Sequence, residues 1–354
     1  MPGGQRNGPD DEHAGLVEYL RSVGIADDDI AANEGVLLSL ASRRVLFGDE
    51  PRMTVDEVAD AAGCDAELVR RVRLAAGLPD PGAAPACSRL EVVVMQSFLL
   101  GVDAIGENET LQFTRVLGNA TAGLAEAALA TFASNRQASL VEEGESLAGI
   151  ARAGAEATVA LLSVAPVLDV LLRLHFEAAS TGRFSSQEPA PRMSLSVAFV
   201  DLVESTRLTL ALPERELSAA LSDFERDASD VVVASGGRVV KRIGDAVMFV
   251  ASDAAQACRA ATTILDRVAA HPQLHAARAA VAAGDVLPRD GDYFGAPVNL
   301  AARAVPIAEP GAIVVTREVR DALPAHDWHV VDLGAHSLKG FDDPVELFAI
   351  SPTS

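Results

Sequence analysis

Lysine is almost missing from this chain of 354 residues. Of its 29 basic side chains, 27 are arginines and only Lys241 and Lys339 are lysines. Arginine serves wherever a generic surface cation is enough, whereas lysine offers a compact point charge that a planar guanidinium does not replace. The two lysines therefore predict point-charge contacts, to a purine ring atom or to a phosphate oxygen.

Positive charge as a whole is scarce. The formal net charge is −21, and residues 1–176 hold 26 acidic residues against 13 arginines. Nucleic acids and anionic membrane surfaces attract proteins through clustered positive charge. The charge balance thus excludes a protein whose main task is to grip either surface, and we expect no nucleic acid partner.

Paired cysteines and a leader segment are also lacking. Cys64, Cys87 and Cys258 form no CxxC pair, which excludes a disulfide framework and a cysteine zinc site. The first dozen residues contain no apolar run of the kind found in signal peptides. These features predict a cytoplasmic protein.

Long hydrophobic runs are interrupted. The most apolar stretch, residues 157–176, contains Pro166, Asp169, Arg173 and His175. A membrane span rarely carries such residues, so we expect a buried helix of a soluble domain and no membrane span.

The length allows two domains, each with its own core. Apolar spacing of three and four residues predicts an all-helical domain over residues 1–176. A polar, proline-bearing stretch at residues 177–192 predicts a linker. From residue 193 to residue 354, strand-like runs alternate with helices, which predicts an α+β domain with a mixed or antiparallel sheet.

Residues 53–81 have the pattern of a helix-turn-helix. Thr54 and Glu57 form a capping box, Gly63 makes the turn, and three arginines lie on the second helix. The segment holds six acidic residues against those three arginines, so we favour packing within the domain over binding to DNA.

Two aspartates follow predicted strands of the second domain. Asp201 ends an apolar strand, and Asp245 lies in a predicted hairpin turn with Gly244. Each has an ordinary structural interpretation, as a helix N-terminal acid and as a turn residue. Held side by side, however, two carboxylates of this kind can bind two divalent ions.

Asn299 and Arg303 are four residues apart on a predicted helix and share one of its faces. An arginine there can offset charge that builds on a phosphoryl group, and an asparagine can orient a sugar or a hydroxyl.

Together and in this order, these motifs resemble the catalytic domain of the class III nucleotidyl cyclases over residues 193–350. The matching stretches are Phe199–Thr206, Lys241–Phe249, Tyr293–Arg303 and Leu338–Phe341. Residues 1–176 resemble the helical regulatory domain fused to some mycobacterial cyclases, a group with members that are more active at acidic pH. The resemblance implies a ferredoxin-like catalytic domain that converts ATP to cyclic AMP and pyrophosphate.

The resemblance also implies a role for each matching residue. Asp201 and Asp245 hold two Mg²⁺ or Mn²⁺ ions, with the carbonyl of Leu202 as a further ligand. Lys241 and Asp292 read the edge of adenine. Asn299 and Arg303 stabilise the transition state, and Lys339 reaches the terminal phosphates. Sites in this family form between two catalytic domains, which implies a homodimer with two shared sites.

Two alternatives remain open at this point. A nucleotide-sensing, DNA-associated regulator without turnover would not need Asn299 and Arg303. A cyclase that uses GTP would carry a different base-reading pair from Lys241 and Asp292. Regulation by pH is a further hypothesis, in which His175 beside the linker and the many carboxylates are the titratable groups.

Overall fold

A computed structural model describes residues 9–183 and 193–353. Contacts within the chain divide it into two compact units, Met1–Gln187 and Glu188–Ser354. The first unit is helical and the second combines helices with one large sheet.

Ten α-helices make up the described part of the first unit. They are α1 (Pro9–Ser22), α2 (Asp27–Ala32), α3 (Leu37–Phe47), α4 (Val55–Ala62), α5 (Ala66–Ala75), α6 (Leu90–Ile105), α7 (Glu107–Phe132), α8 (Ala138–Glu142), α9 (Leu147–Leu162) and α10 (Ala165–Arg183). A π-helical stretch, Ala133–Gln137, joins α7 to α8. One core lies among α4, α5, α6 and α7, and a second lies among α1, α2, α3 and α9.

The predicted helix-turn-helix is formed by α4 and α5. Thr54 and Glu57 make a reciprocal capping box, and Gly63 ends α4 in the left-handed conformation with φ of 72°. Asp65 caps α5 by accepting a hydrogen bond from the N–H of Glu67. Local capping and turn chemistry therefore set both helix boundaries.

The stretch at residues 157–176 differs from the prediction of a buried helix. It spans the end of α9 and most of α10, and its large apolar side chains are exposed, with Leu172 at 65% and Phe176 at 67%. Within the described residues, none of these side chains belongs to either core of the first unit. The prediction of burial was wrong for the chain taken alone.

Two helical stretches, Glu107–Glu142 and Leu147–Ser180, are long and apolar enough to cross a membrane. Only 6% and 0% of their most apolar windows are buried. Length and composition do not by themselves establish a membrane span, because an uncovered interface helix has the same character.

Helix α10 extends into the segment predicted as a linker. It continues to Arg183, seven residues beyond Phe176, because Glu177 and the alanines after it favour helix. The remaining residues of that segment, 184–192, lie outside the described residues.

The second unit contains eight strands and five α-helices among its described residues. The strands are β1 (Met193–Leu202), β2 (Arg238–Ile243), β3 (Ala246–Ala251), β4 (Ala277–Arg289), β5 (Asp292–Phe294), β6 (Ile313–Thr316), β7 (Trp328–His336) and β8 (Val345–Pro352). The helices are α11 (Ser205–Ala211), α12 (Glu214–Ala234), α13 (Ala254–Ala270), α14 (Ala296–Ala304) and α15 (Arg317–Ala322).

The sheet has the order β2-β3-β1-β4-β6-β8-β7, with β5 paired to β4. The β4–β6 pair is parallel and the other described pairs are antiparallel. One face of the sheet packs on α12, α13 and α15, and the other packs on α14. This confirms the predicted α+β class with a mixed, mostly antiparallel sheet.

Candidate active site

Asp201 and Asp245 meet at one end of the sheet. The register of β1 and β3 pairs Asp201 with Ala246, so Asp245 lies in the adjoining turn. The N–H of Leu202 donates to the carbonyl of Asp245 over 3.4 Å. Gly244 has φ of 62°, the left-handed conformation that favours glycine in such a turn. The hairpin thus places the second carboxylate beside the first.

A cation from β4 contacts the first aspartate. Arg278 lies opposite Asp201 in the β1–β4 register, and its Nε and Nη2 donate to Asp201 Oδ2 over 3.1 and 3.0 Å. Burial raises the pKa of the Asp201 carboxyl above its ordinary value. The hydrogen bonds from Arg278 oppose that rise in pKa, and the negative charge of Asp245 adds to it.

The two aspartates fit a divalent cation. Neighbouring carboxylates repel each other unless a positive charge compensates them, and hard oxygen donors suit Mg²⁺ and Mn²⁺. Within residues 9–183 and 193–353, no group of three or more His, Cys, Asp and Glu side chains could hold a metal ion. A Mg²⁺ site with one or two carboxylates takes its other ligands from substrate phosphates and water.

Leu202 follows Asp201 at the end of β1. Its side chain is 2% exposed and packs in the core under α12 and α13. Only its backbone carbonyl is therefore suited to be a ligand, and that role stays a prediction.

Lys241 and Asp292 form an ion pair although they are 51 residues apart in sequence. Asp292 begins β5, directly after a turn in which Asp290 and Gly291 have φ of 57° and 80°. Asp292 Oδ1 also accepts the N–H of Tyr293 over 2.8 Å. The pair is partly exposed, at 37% and 26% of the two side chains, so a ligand can reach it.

A bulge in β2 sets the direction of Lys241. The β2–β3 register shifts between Val239 and Lys241, which places Lys241 opposite Met248. Val239 packs with the core under α12 and α13, whereas Met248 belongs to the core on the α14 side. Without the shift, alternation would direct Lys241 to the face covered by α12 and α13. The bulge therefore brings Lys241 to the α14 face.

The aspartate–arginine pair lies on that same face. Val197 and Phe199 of β1 pack on the α14 side, and alternation places Asp201 with them. Ala280 and Ala282 of β4 also pack on the α14 side, and alternation places Arg278 with them. One face of the sheet thus carries both charged groups.

Asn299 and Arg303 are one turn apart on α14. The buried face of this helix is formed by Pro297, Ala301 and Ala304, so Asn299 is exposed and Arg303 is half-buried. Among the described residues, Arg303 has no ion-pair partner. Its guanidinium is therefore available to an anionic group, as the sequence predicts for it.

Gly295 fixes the start of α14. Its φ is 147°, and a Cβ atom at this position would lie 2.9 Å from the carbonyl oxygen of Asp285. The glycine permits the close approach that fastens α14 to β4.

Lys339 lies in the loop between β7 and β8. Its side chain is exposed and the neighbouring Leu338 is buried, which anchors the loop. Within the described part of the chain, Lys339 has no ion-pair partner. The structure of one chain does not bring it into contact with the other candidate residues, and its predicted role stays a prediction.

Sequence reasoning missed Arg278. The signal was an arginine set in the apolar strand sequence of β4, where a charge is costly unless it has a partner. It also missed β5, which has three residues and follows a turn of only Asp290 and Gly291.

The arginines of α5 are all near acidic groups of their own unit. Arg73 is 8% exposed, binds Glu91, and donates to the carbonyl of Pro79 over 3.0 Å. Arg71 pairs with Glu107 at 2.6 Å, and Arg70 lies 3.7 Å from Glu67. A helix that recognises DNA needs such side chains free, so this geometry disfavours the DNA-associated alternative.

Comparison with known proteins gives matches over nearly the whole chain. A family model described as "Adenylate cyclase regulatory domain" matches residues 5–179. An uncharacterized protein of Mycobacterium tuberculosis is 36% identical, with 96% of this chain and 90% of that protein covered.

Several relatives are named for an activity, and two of them match most of this chain. A protein of Streptomyces coelicolor named adenylate cyclase is 32% identical and covers 89% of this chain and 85% of its own length. A Mycobacterium tuberculosis protein named pH-sensitive adenylate cyclase is 31% identical, with coverages of 96% and 88%. Among solved structures, the adenylyl cyclase CyaB from P. aeruginosa has 23% identity and a TM-score of 0.42 over 46% of this chain and 96% of that chain.

Proposed function

Since this chain belongs to the class III adenylate cyclases that carry a helical regulatory domain, we propose that it converts ATP to 3′,5′-cyclic AMP and pyrophosphate. The observation that carries the proposal is that the Lys241–Asp292 pair lies on the same sheet face as Asp201, with Asp245 in the turn beside Asp201. A base-reading pair and a cation-binding pair are the two elements that this reaction needs.

Lys241 and Asp292 supply selection of the base. The ammonium of Lys241 donates to an adenine ring nitrogen, and the carboxylate of Asp292 accepts from the exocyclic amine. Guanine offers the opposite arrangement of donor and acceptor at this edge, so the pair favours ATP over GTP. Their mutual ion pair in the free protein holds both groups in place before the base arrives.

Asp201 and Asp245, with the carbonyl of Leu202, would hold two Mg²⁺ or Mn²⁺ ions. Cations bound there would lower the pKa of the ribose 3′-hydroxyl and offset the charge of the triphosphate. The chain's own contribution is to hold two carboxylates rigidly at the end of paired strands, so that little reorganisation is needed on binding.

The remaining residues act on the phosphates and the ribose. The 3′-hydroxyl loses its proton to solvent water and its oxygen forms a bond to the α-phosphorus. The bond between that phosphorus and the bridging oxygen breaks, and pyrophosphate leaves. Arg303 offsets charge at the α-phosphate, Asn299 orients the ribose, and Lys339 binds the terminal phosphates. Most of the catalysis is then positioning and electrostatics, with no covalent intermediate.

We propose a homodimer in which each site takes its aspartates from one chain and its other residues from the partner. The exposed apolar side chains of α9 and α10 support association, because a surface of this kind is unfavourable in water. A cytoplasmic location follows from the supply of ATP and from the reduced state predicted for the cysteines. The helical unit is proposed to regulate the catalytic unit, and pH is one candidate signal.

The test is cyclic nucleotide production by the purified full-length protein. ATP and GTP are supplied separately with Mg²⁺ or Mn²⁺, at pH 6 and at pH 8. We expect metal-dependent cyclic AMP from ATP and little product from GTP. Tight binding of ATP without any product would contradict the proposal and favour a nucleotide sensor.

A further inference from the structure

Arg278 is paired with Asp201, one of the two carboxylates proposed to hold a divalent ion. Both donors of Arg278 go to one carboxylate oxygen, Oδ2, at 3.1 and 3.0 Å. The two side chains are 29% and 20% exposed, so solvent screens this pair less than it screens a surface pair. The guanidinium of Arg278 therefore compensates much of the negative charge of Asp201.

The charges around this pair are uneven. Asp245 lies beside Asp201 in the β2–β3 turn and, within the described residues, has no ion-pair partner of its own. One guanidinium is thus paired with one of two neighbouring carboxylates. Such a group is left with one negative charge uncompensated, and a divalent cation in place of Arg278 would balance it.

Resting on the proposed function, we propose that Arg278 is a placeholder cation, which holds Asp201 in the nucleotide-free chain and must leave Oδ2 when a divalent ion binds. The guanidinium and the incoming ion compete for the same carboxylate. Arg278 is a positioning residue in this scheme, because it keeps Asp201 aimed along the sheet end and prevents firm metal binding before the nucleotide arrives.

A competing role and a merely structural role of Arg278 predict opposite changes in metal affinity when the side chain is removed. If Arg278 only supported the fold, its removal would loosen Asp201 and weaken metal binding. If it competes, the neutral variant Arg278→Gln binds metal more tightly in the absence of nucleotide. We expect a gain of about tenfold in affinity, the scale of one partly screened charge interaction at short range. Arg278→Lys keeps the charge and is expected to stay near wild type.

The experiment is a Mn²⁺ titration of full-length protein without nucleotide, followed by the electron paramagnetic resonance signal of free Mn²⁺. Arg317→Gln is the matched control, because it removes one arginine from an ion pair with Glu346, outside the two charged groups of the site. It should leave the Mn²⁺ affinity within about twofold of wild type. Asp201→Asn added to Arg278→Gln should abolish the gain, which assigns it to this carboxylate.

Unchanged or weaker Mn²⁺ binding by Arg278→Gln, with circular dichroism and melting temperature like wild type, overturns the placeholder role. If Arg278→Gln is unstable, Arg278→Lys and Arg278→Met supply the same comparison of charged and neutral side chains. Cyclic AMP production by the same wild-type preparation separates the two proposals. If wild type makes cyclic AMP with Mn²⁺ but Arg278→Gln shows no gain in Mn²⁺ affinity, only the placeholder role is contradicted. If wild type makes no cyclic AMP, the proposed function is contradicted.

Discussion

At the scale of single residues, the site is a set of charges held in different ways before any ligand arrives. Lys241 is paired with Asp292 and Asp201 is paired with Arg278, whereas Asp245 has no ion-pair partner within the described residues. Arg303 has no ion-pair partner within the described residues. The Lys241–Asp292 pair is thus balanced within one chain, while Asp245 and Arg303 have charge left for a ligand to compensate.

Replacing Lys241 tests the base-reading pair. Lys241→Gln removes a charged donor and leaves Asp292 unpaired, so kcat/KM for ATP should fall by about ten- to a hundredfold. The preference for ATP over GTP should fall with it, which initial-rate assays with both nucleotides measure. Arg242→Gln is the control, because Arg242 is the next residue on β2 and pairs with Glu225 at 2.9 Å. An unchanged ATP preference in Lys241→Gln would contradict the role given to Lys241.

The three thiols should differ in reactivity at pH 8. Burial raises the pKa of Cys258 to about 12, so hardly any thiolate exists there at pH 8. Cys87 is also buried with a raised pKa. Burial and the charge of Asp65 raise the pKa of Cys64 as well, but Cys64 is partly exposed and a reagent can reach it. A thiol reagent such as DTNB should modify one cysteine in the native protein and three in denaturant. Cys64→Ser should remove the native reaction, and rapid labelling of Cys258 would contradict the burial of α13.

At the scale of elements, close backbone approach decides how α7 packs. Gly118 of α7 is buried against the end of α5, where a Cβ atom would lie 2.6 Å from the carbonyl carbon of Ala76. Backbone atoms cannot move aside as a flexible side chain can. The contact therefore depends on glycine at this position.

Gly118→Ala should lower the free energy of unfolding of the helical unit by about 1–3 kcal/mol, the usual cost of overpacking. Gly123→Ala is a matched control on the same helix, since nothing lies within 4 Å of its added Cβ. That control should stabilise α7 by up to about 1 kcal/mol. Amide hydrogen exchange in α5 and α7 of the full-length protein measures both changes in stability. Equal protection in the two variants would contradict the close approach.

Local sequence patterns predict most of the helices and strands. They fail where tertiary contacts determine the structure. Apolar period and flanking turn residues predict a strand at Arg238–Ile243 and helices at Leu90–Ile105, Glu214–Ala234 and Arg317–Ala322. These are the bounds of β2, α6, α12 and α15 in the structure. The helix α11 was missed, since its seven residues have little amphipathic pattern. The bulge in β2 leaves no mark in the residue types, although it decides the face on which Lys241 lies.

The site was predictable for residues inside contiguous motifs. Asp245 lies in the predicted turn beside the end of β1, and Lys241 and Asp292 are in contact. Arg278 was not predictable as a partner of Asp201, because the register of β1 on β4 determines that contact. The exposure of residues 157–176 was missed for a similar reason. Composition shows that these side chains are apolar, but it does not show whether other residues pack on them.

At the scale of the whole molecule, the homodimer that we propose builds each site from two chains. A site shared between chains takes its aspartates from one copy and Lys241 from the other. Two inactive variants that lack different halves can then restore one intact site in a mixed dimer. A site contained within one chain cannot be restored in this way.

Asp201→Ala and Lys241→Ala should each be inactive alone and active when combined. Heterodimers isolated through two different affinity tags are expected to regain about half of the wild-type activity, because one of their two sites is intact. Cyclic AMP formation by the isolated heterodimers is the measurement. Asp201→Ala paired with Asp245→Ala is the control, since both changes affect the same half and leave no complete site. Inactive heterodimers of the first pair would remove the shared-site arrangement.

The near absence of lysine leaves the protein with little amine chemistry at its side chains. Of the two amines, that of Lys241 is held by Asp292, and that of Lys339 is exposed on the β7–β8 loop. Of the two lysines, an acylating dye should therefore label Lys339 before Lys241. Because lysine is scarce, a protease specific for lysine can cut the native chain at few positions. The loop after β7 is the most accessible of them.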